Sequence, residues 1–105
     1  MNFILNFEGF EKYLVDKTID SLMGVHYIFK FENGYGASVV KGQWTYGGSQ
    51  DLWELAVLHF YSDGKYDLAY DTEITDNVKG HLHDEEVLKL LGRIKALKKP
   101  VHIEN

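Results

Sequence analysis

The spacing of hydrophobic residues predicts one helix near each end of the chain. Residues 8–22 carry a broad apolar stripe of Phe10, Leu14, Ile19 and Leu22, and residues 84–98 carry a second apolar stripe. The second stripe consists of Val87, Leu90, Leu91, Ile94 and Leu97. Acidic residues crowd the first turn of the second segment and lysines its last, which is the distribution that a helix dipole favours.

Between the two predicted helices, four segments have the pattern of β-strands. These segments are residues 25–32, 35–41, 53–61 and 66–71. Asn33–Gly34 separates the first pair and Asp63–Gly64 the second, and both dipeptides are typical of hairpin turns. The third segment is apolar on both faces, so we expect it to be central in the sheet. The fourth has one polar face, which places it nearer an edge, and residues 72–82 are predicted to be irregular.

These elements predict a single α+β domain spanning residues 1–105, with the order α-β-β-β-β-α. Two hairpins give an antiparallel sheet of about four strands, and the helices bury their apolar stripes on it. A chain of 105 residues, of which 45% are hydrophobic and 26% charged, is typical of one globular domain. Cysteine is absent from the sequence, which excludes disulfides and thiolate chemistry. The sequence has no apolar run near the roughly 20 residues that span a bilayer.

The charge of the chain is negative and unevenly distributed. The formal net charge is −5, which disfavours binding to the phosphate backbone of nucleic acids. Acidic residues concentrate between Asp63 and Glu86, whereas lysines and an arginine concentrate after residue 88. Two interpretations are open for the acidic region: a solvated face, or a surface that competes for a basic groove on a partner protein.

Few residues form patterns that are typical of catalysis. His81 and His83 lie beside carboxylates, but the ligand spacing of known zinc sites is missing, so neither a metal nor a cofactor is predicted. His59 falls on a predicted strand, where a histidine is more often a satisfied structural group than a catalyst. Pairing with Glu54 or Asp67 would allow acid–base chemistry, although the spacing does not require it. We therefore expect that the protein is not an enzyme.

Three stretches of the sequence resemble a family of small acidic proteins from bacteriophages and prophages. These stretches read FENGYGASVV, YGGSQDLWELAVL and YDTEITDNVKGHLHDEEV, and the resemblance extends from about residue 9 to residue 97. It implies an accessory protein that acts in the cytoplasm of a bacterial host, where such proteins often inhibit host machinery or host defence. The family implies no defined activity and no target.

The segment GQWTYGGSQDLW, residues 42–53, combines aromatic rings with glycines. We expect Trp53 to be core, because it begins the central strand. Two interpretations are open for Trp44 and Tyr46: they cover the open end of a small sheet, or they form an exposed patch of the kind that dominates protein interfaces. The residues predicted to bind a partner are Tyr35, Trp44, Tyr46, Asp67, Asp71, Glu73 and Asp76.

The sequence therefore predicts a binding protein that inhibits or modulates a host protein through an aromatic and acidic surface. The alternative is a protein that sequesters a small molecule or nucleotide near the glycine-rich aromatic loop, with a homodimer as a possible assembly. That alternative requires positive charge for a phosphate ligand, and Lys30, Lys41 and Lys79 are its candidates. Binding to a membrane is not expected for either hypothesis.

Overall fold

The computed structural model describes residues 7–20, 24–42, 51–69, 72–74 and 78–98. In these residues the chain forms six strands and one α-helix. The strands are β1 (Leu14–Asp20), β2 (Gly24–Lys30), β3 (Tyr35–Lys41), β4 (Trp53–Phe60), β5 (Tyr66–Leu68) and β6 (Val78–Leu82). Helix α1 spans Asp84–Lys95, and a short 3-10 turn at Glu11–Tyr13 precedes β1. None of the described helices is long and apolar enough to cross a membrane.

The strands form one antiparallel sheet in the order β1-β2-β3-β4-β5, and β6 also pairs with β4. Strand β4 is central, because β3 lies on one side of it while β5 and β6 share the other side. Strand β5 pairs with the last residues of β4, and β6 pairs with the first. The predicted central position of β4 and the predicted edge position of β5 are thus confirmed.

One face of the sheet carries the main core and the helix. Register pairs such as Tyr27 with Val39 and Ala37 with Val57 place large apolar side chains on this face. Helix α1 packs its apolar stripe against them, and the side chains of Leu91 and Ile94 are fully buried. Trp53 is also fully buried, as the sequence predicts. We call this side of the sheet the helix face.

The opposite face of the sheet has a smaller apolar cluster formed by Ile28, Leu58 and Phe60. The strand register brings Gly36 against this cluster, and a Cβ atom at Gly36 would collide with the Phe60 ring and with the carbonyl oxygen of Phe29. A side chain at this position is therefore excluded by close packing, in agreement with the small residues that begin β3.

The predicted helix over residues 8–22 is wrong, because most of this segment is strand β1. Val15, Thr18 and Ile19 are β-branched, and such residues lose rotamer freedom in a helix and pack well on a pleated sheet. Pairing with β2 adds backbone hydrogen bonds that the helical pattern could not anticipate. The side chain of Ile19 is 62% exposed, so the apolar stripe that suggested a helix does not define a buried face.

The predicted order α-β-β-β-β-α with about four strands is wrong for the same reason and for one more. Residues Val78–Leu82 form β6, although the sequence around Gly80 lacks the apolar density of a strand. The pairing between β4 and β6 shifts register near Trp53, and His81 has a positive φ of 58°. Strand β6 is therefore an irregular edge strand that pairs with the first half of β4. The described chain is therefore mostly antiparallel sheet, followed by one helix.

Both predicted hairpins form, with loops of three residues. The N–H of Phe31 donates to the carbonyl oxygen of Tyr35 at 2.8 Å, and the N–H of Gly34 donates to the carbonyl oxygen of Phe31 at 3.3 Å. Gly34 has a φ of 89°, whereas Asn33 is not among the described residues with positive φ. This geometry is a three-residue loop that ends with a left-handed glycine, and not a two-residue turn with two left-handed residues.

Candidate binding cavity

The hairpin that joins β2 and β3 holds the end of helix α1. The side-chain amide nitrogen of Asn33 lies 2.8, 3.1 and 2.9 Å from the carbonyl oxygens of Ile94, Lys95 and Leu97. Its side-chain oxygen accepts a hydrogen bond from the N–H of Tyr35 at 3.0 Å. Carbonyl groups at a helix C-terminus lack partners within the helix, and Asn33 supplies them from the hairpin. The hairpin and the end of α1 are thereby fixed against each other.

A cavity of about 570 Å³ lies beside this junction, and we call it the end cavity. It is lined by Tyr35, Thr72, Glu73, Ile74, Arg93, Ala96, Leu97 and Lys98. The Ile74 side chain is buried, whereas Glu73, Arg93 and Lys98 are exposed at the surface. The lining therefore combines an apolar wall with charged groups that reach solvent.

The three charged side chains of the end cavity, Glu73, Arg93 and Lys98, form no ion pair within the described part of the chain. Two cations and one carboxylate make the lining cationic, although the whole chain carries a net charge of −5. A concave site whose charged groups form no ion pair with any described residue can bind a ligand of complementary charge.

An aromatic row leads from the end cavity towards β5, and we define it as Tyr35, His59, Tyr61 and Asp67. The ring centroids of Tyr35 and His59 are 5.9 Å apart, and those of His59 and Tyr61 are 5.1 Å apart. The hydroxyl group of Tyr61 donates a hydrogen bond to the carboxylate of Asp67 at 3.0 Å. His59 pairs with Tyr35 on one side and with Asp67 on the other, so adjacent strands set the order of the row.

The structure brings three of the predicted partner-binding residues to one end of the molecule. Tyr35 and Glu73 line the end cavity, and Asp67 closes the aromatic row. The other four predicted residues lie outside the described residues: Trp44, Tyr46, Asp71 and Asp76. Their contribution to a binding surface stays a prediction.

Tyr35 is far from the point where the aromatic loop leaves the sheet. It begins β3, whereas Lys41 ends this strand, and seven extended residues place these two positions about 20 Å apart. At the loop end, the Lys41 ammonium lies 3.3 Å from the Asp51 carboxylate and 4.3 Å from the centroid of the Trp53 ring. These contacts compensate the charge of Lys41, whose side chain is only 3% exposed.

Three described carboxylates of the acidic region between Asp63 and Glu86 lie at different ends of α1. Asp84 begins the helix, and its carboxylate accepts a hydrogen bond of 2.7 Å from Nε1 of Trp53 at the start of β4. Asp67 and Glu73 lie at the other end, near the Asn33–Gly34 hairpin. A helix of twelve residues is about 18 Å long, so these carboxylates do not form one continuous surface.

His83, which the sequence places beside carboxylates, has a structural role. It caps the start of α1, and its N–H donates to the carboxylate of Glu86 at 2.8 Å, so this half of a capping box forms. Within the described residues, no group of three or more potential ligands lies close enough to hold a metal ion.

A second histidine lies on the face opposite the helix. Nε2 of His26 lies 2.8 Å from the hydroxyl oxygen of Ser38 on the neighbouring strand. Burial lowers the pKa of His26, and the nearby Asp16 carboxylate opposes this effect more weakly. The pair therefore contains a neutral imidazole near neutral pH.

Sequence reasoning missed Arg93, Lys98 and Tyr61 as parts of a site, and it considered His59 only for acid–base chemistry. The positions of Arg93 and Lys98 are explained by the helix dipole alone, because cations are common in the last turn of a helix. A signal of another role was Asn33, whose amide can bond to the last carbonyl groups of the helix in place of these cations. The register of the second hairpin could have placed His59 beside Asp67, whereas the pairing of Tyr35 with His59 joins β3 and β4, which are not joined by a hairpin turn. Lys30, Lys41 and Lys79, which the sequence suggested for a phosphate ligand, do not line the end cavity.

The chain matches no protein-family model, no curated protein and no solved structure. The resemblance to small acidic phage proteins therefore stays a prediction.

Proposed function

We propose that the protein is a binding protein that recognises a partner protein through the aromatic row. One observation carries this proposal: Tyr35, His59 and Tyr61 form a continuous row of half-buried rings that ends at the exposed carboxylate of Asp67. Tyrosine rings provide a large contact area at a small entropic cost, and a neighbouring carboxylate favours a basic group on the partner.

The partner that the sequence suggests is a protein of a bacterial host, and the proposed site of action is the host cytoplasm. The acidic net charge supports a partner with a basic surface, because complementary potentials accelerate encounter and suppress wrong partners. Inhibition of the host protein, including a host defence protein, is the role that the phage resemblance suggests.

Site-specific photo-crosslinking in a bacterial lysate tests this function. We expect a benzoylphenylalanine residue at position 61 to crosslink a distinct host protein, because the Tyr61 ring belongs to the row. The same residue at position 66 is a matched control: Tyr66 lies on the same hairpin, but its ring contacts Phe60 on the opposite face of the sheet, at 5.1 Å. Crosslinking of the same proteins from both positions would count against recognition by the row.

The second variant pair tests whether the row contributes to affinity. We expect Tyr61→Ala to reduce capture of the crosslinked protein at least about tenfold, since truncated interface hot spots cost roughly 2 kcal/mol or more. Tyr66→Ala should leave capture unchanged. Thermal unfolding of both variants checks that the fold persists, and equal capture by the two folded variants would contradict the proposal.

A small-molecule function is favoured by a separate observation. The volume of the end cavity, about 570 Å³, falls within the range of roughly 300–1,000 Å³ that is typical of ligand pockets. We therefore keep sequestration of a small molecule as the second candidate function. Its site would be the end cavity and not the aromatic loop.

A further inference from the structure

The side chains of the end cavity define the charge of a ligand that it could hold. Arg93, Lys98 and Glu73 share the lining with the hydroxyl-bearing residues Tyr35 and Thr72. Neither cation forms an ion pair in the parts of the chain that the structure describes. An anionic group in the cavity would therefore gain two cations without displacing a salt bridge between described residues.

The carbonyl groups at the end of helix α1 are bound by Asn33 and not by these two cations. Lysine and arginine side chains near a helix C-terminus commonly neutralise its last carbonyl groups. Here the amide of Asn33 bonds to the carbonyl oxygens of Ile94 and Leu97 at 2.8 and 2.9 Å. Among the described residues, none therefore pairs with the guanidinium of Arg93 or the ammonium of Lys98, so an external anion can bind both.

Glu73 and the apolar wall restrict the kind of anion. A carboxylate repels a phosphate group of about two negative charges more strongly than it repels a group with one. Arginine pairs with a carboxylate through two parallel hydrogen bonds, which gives both strength and orientation. Ile74, Ala96 and Leu97 form an apolar surface beside these charges, on which a short hydrocarbon group can pack.

We propose that the end cavity binds a carboxylate attached to a short apolar group, with Arg93 and Lys98 holding the carboxylate. This chemistry occurs in the C-terminal residue of a peptide chain and in a free amino acid. In the second case, Glu73 also pairs with the ammonium group of the ligand. The inference depends on the end cavity and not on the aromatic row, so it can fail while recognition of a partner protein stands, and the reverse.

NMR titration of the purified chain tests this inference with four probes: N-acetyl-leucine, leucine, leucine amide and inorganic phosphate. We expect N-acetyl-leucine or leucine to shift the methyl signals of Ile74 and Leu97 and the Nε–H signal of Arg93. Leucine amide lacks the carboxylate and should bind at least about tenfold more weakly. Tighter binding of leucine identifies a free amino acid as the ligand class, and tighter binding of N-acetyl-leucine identifies a chain terminus.

The inference would be overturned if phosphate or leucine amide bound as tightly as the two carboxylates, or if no probe shifted these signals at millimolar concentration. Arg93→Gln should weaken binding of the preferred carboxylate roughly tenfold or more. Lys89→Gln, on an exposed position of the same helix outside the cavity, should not change the affinity. If Arg93→Gln does not fold, Lys98→Gln provides the same test, and unchanged affinity in a folded cavity variant would refute the proposal.

Discussion

Asn33 and Asp63 occupy equivalent positions in the two hairpin loops. Both stabilise their own turn, but Asn33 also bonds to a distant part of the chain. In both hairpin loops a side-chain oxygen accepts a hydrogen bond from the N–H two residues later: Asn33 from Tyr35 at 3.0 Å, and Asp63 from Lys65 at 2.9 Å. Both loops then continue through a left-handed glycine. Only asparagine has an amide that can also donate, and it donates to the end of α1.

Asn33→Asp is therefore expected to destabilise the protein although it preserves the turn. The substitution removes the donor to the carbonyl groups of α1 and places a negative charge at the negative end of the helix dipole. These carbonyl groups are partly buried, and loss of their partner costs about 1 kcal/mol. Urea denaturation followed by circular dichroism measures the free energy of unfolding.

The reverse substitution in the other hairpin, Asp63→Asn, is the matched control. Its loop is exposed, and asparagine keeps the oxygen that the N–H of Lys65 needs. We expect a change within about 0.5 kcal/mol, as is usual for surface substitutions. Equal destabilisation by the two substitutions would mean that the amide of Asn33 does not stabilise the end of the helix.

At the scale of elements, the observed fold differs from the predicted one at strand β1, where a helix was predicted. A helix over residues 8–22 would bury Ile19, whereas in the structure it lies at the edge of the sheet and is 62% exposed. Ile19→Thr should therefore change the free energy of unfolding by less than about 0.5 kcal/mol. Ile28→Thr, in the adjacent strand, should cost roughly 2–4 kcal/mol, because Ile28 is buried.

The same denaturation measurements distinguish the two folds. A large cost for Ile19→Thr, comparable with that for Ile28→Thr, would indicate that residue 19 is buried and would contradict the edge position of β1. The comparison holds the chemical change constant, since both substitutions replace an isoleucine on a strand by a β-branched residue with a hydroxyl group.

Sequence patterns predicted the elements whose local preference agrees with their tertiary surroundings. Strands β2 to β5 and helix α1 follow this rule, because alternation, turn residues and helix caps all indicate the same structure. Strand β1 is an exception, since the spacing of Phe10 and Leu14 favours a helix whereas the β-branched residues favour a strand. The pairing with β2 determines that this segment is a strand. Strand β6 is an exception too, because its residues are polar and depend on the edge of β4 for their backbone hydrogen bonds.

The candidate site was predictable only in part for a related reason. Tyr35, Asp67 and Glu73 were identified from residue type and position, and they lie at one end of the fold. The end cavity itself depends on a contact between Asn33 and Ile94, which are 61 residues apart in the chain. No local pattern contains such a contact, so the residues that line the cavity together with Glu73 could not be predicted from the sequence.

At the scale of the whole molecule, the helix and the central strand define two chemically different ends. Helix α1 runs in the same direction as β4, because Asp84 contacts Trp53 at the start of β4, and Gly34, next to the end of α1, accepts a hydrogen bond from Phe60. One end holds the buried Lys41 with Asp51, and the other holds the cavity and the aromatic row. A ligand at the second end would therefore reach the hairpin and helix but not the base of the aromatic loop.

The stability of the whole molecule is expected to fall on acidification because of His26. In the unfolded chain this imidazole gains a proton near its ordinary pKa of 6.5, whereas burial lowers its pKa in the folded protein. Between these two pKa values the unfolded state binds more protons, so the free energy of unfolding rises with pH. The stabilisation that depends on neutral His26 is therefore present above pH 6.5 and is lost as the pH falls through the lower, folded-state pKa.

His26→Gln isolates this contribution, because glutamine does not titrate and its amide can still bond to the hydroxyl group of Ser38. Urea denaturation of both proteins at pH 7.5, 6.5 and 5.5 gives a difference in which the common titrations of other groups cancel. We expect the wild-type protein to lose stability relative to the variant as the pH decreases. A difference that stays constant, or a wild-type protein that gains stability at low pH, would mean that the Asp16 carboxylate outweighs burial at this position.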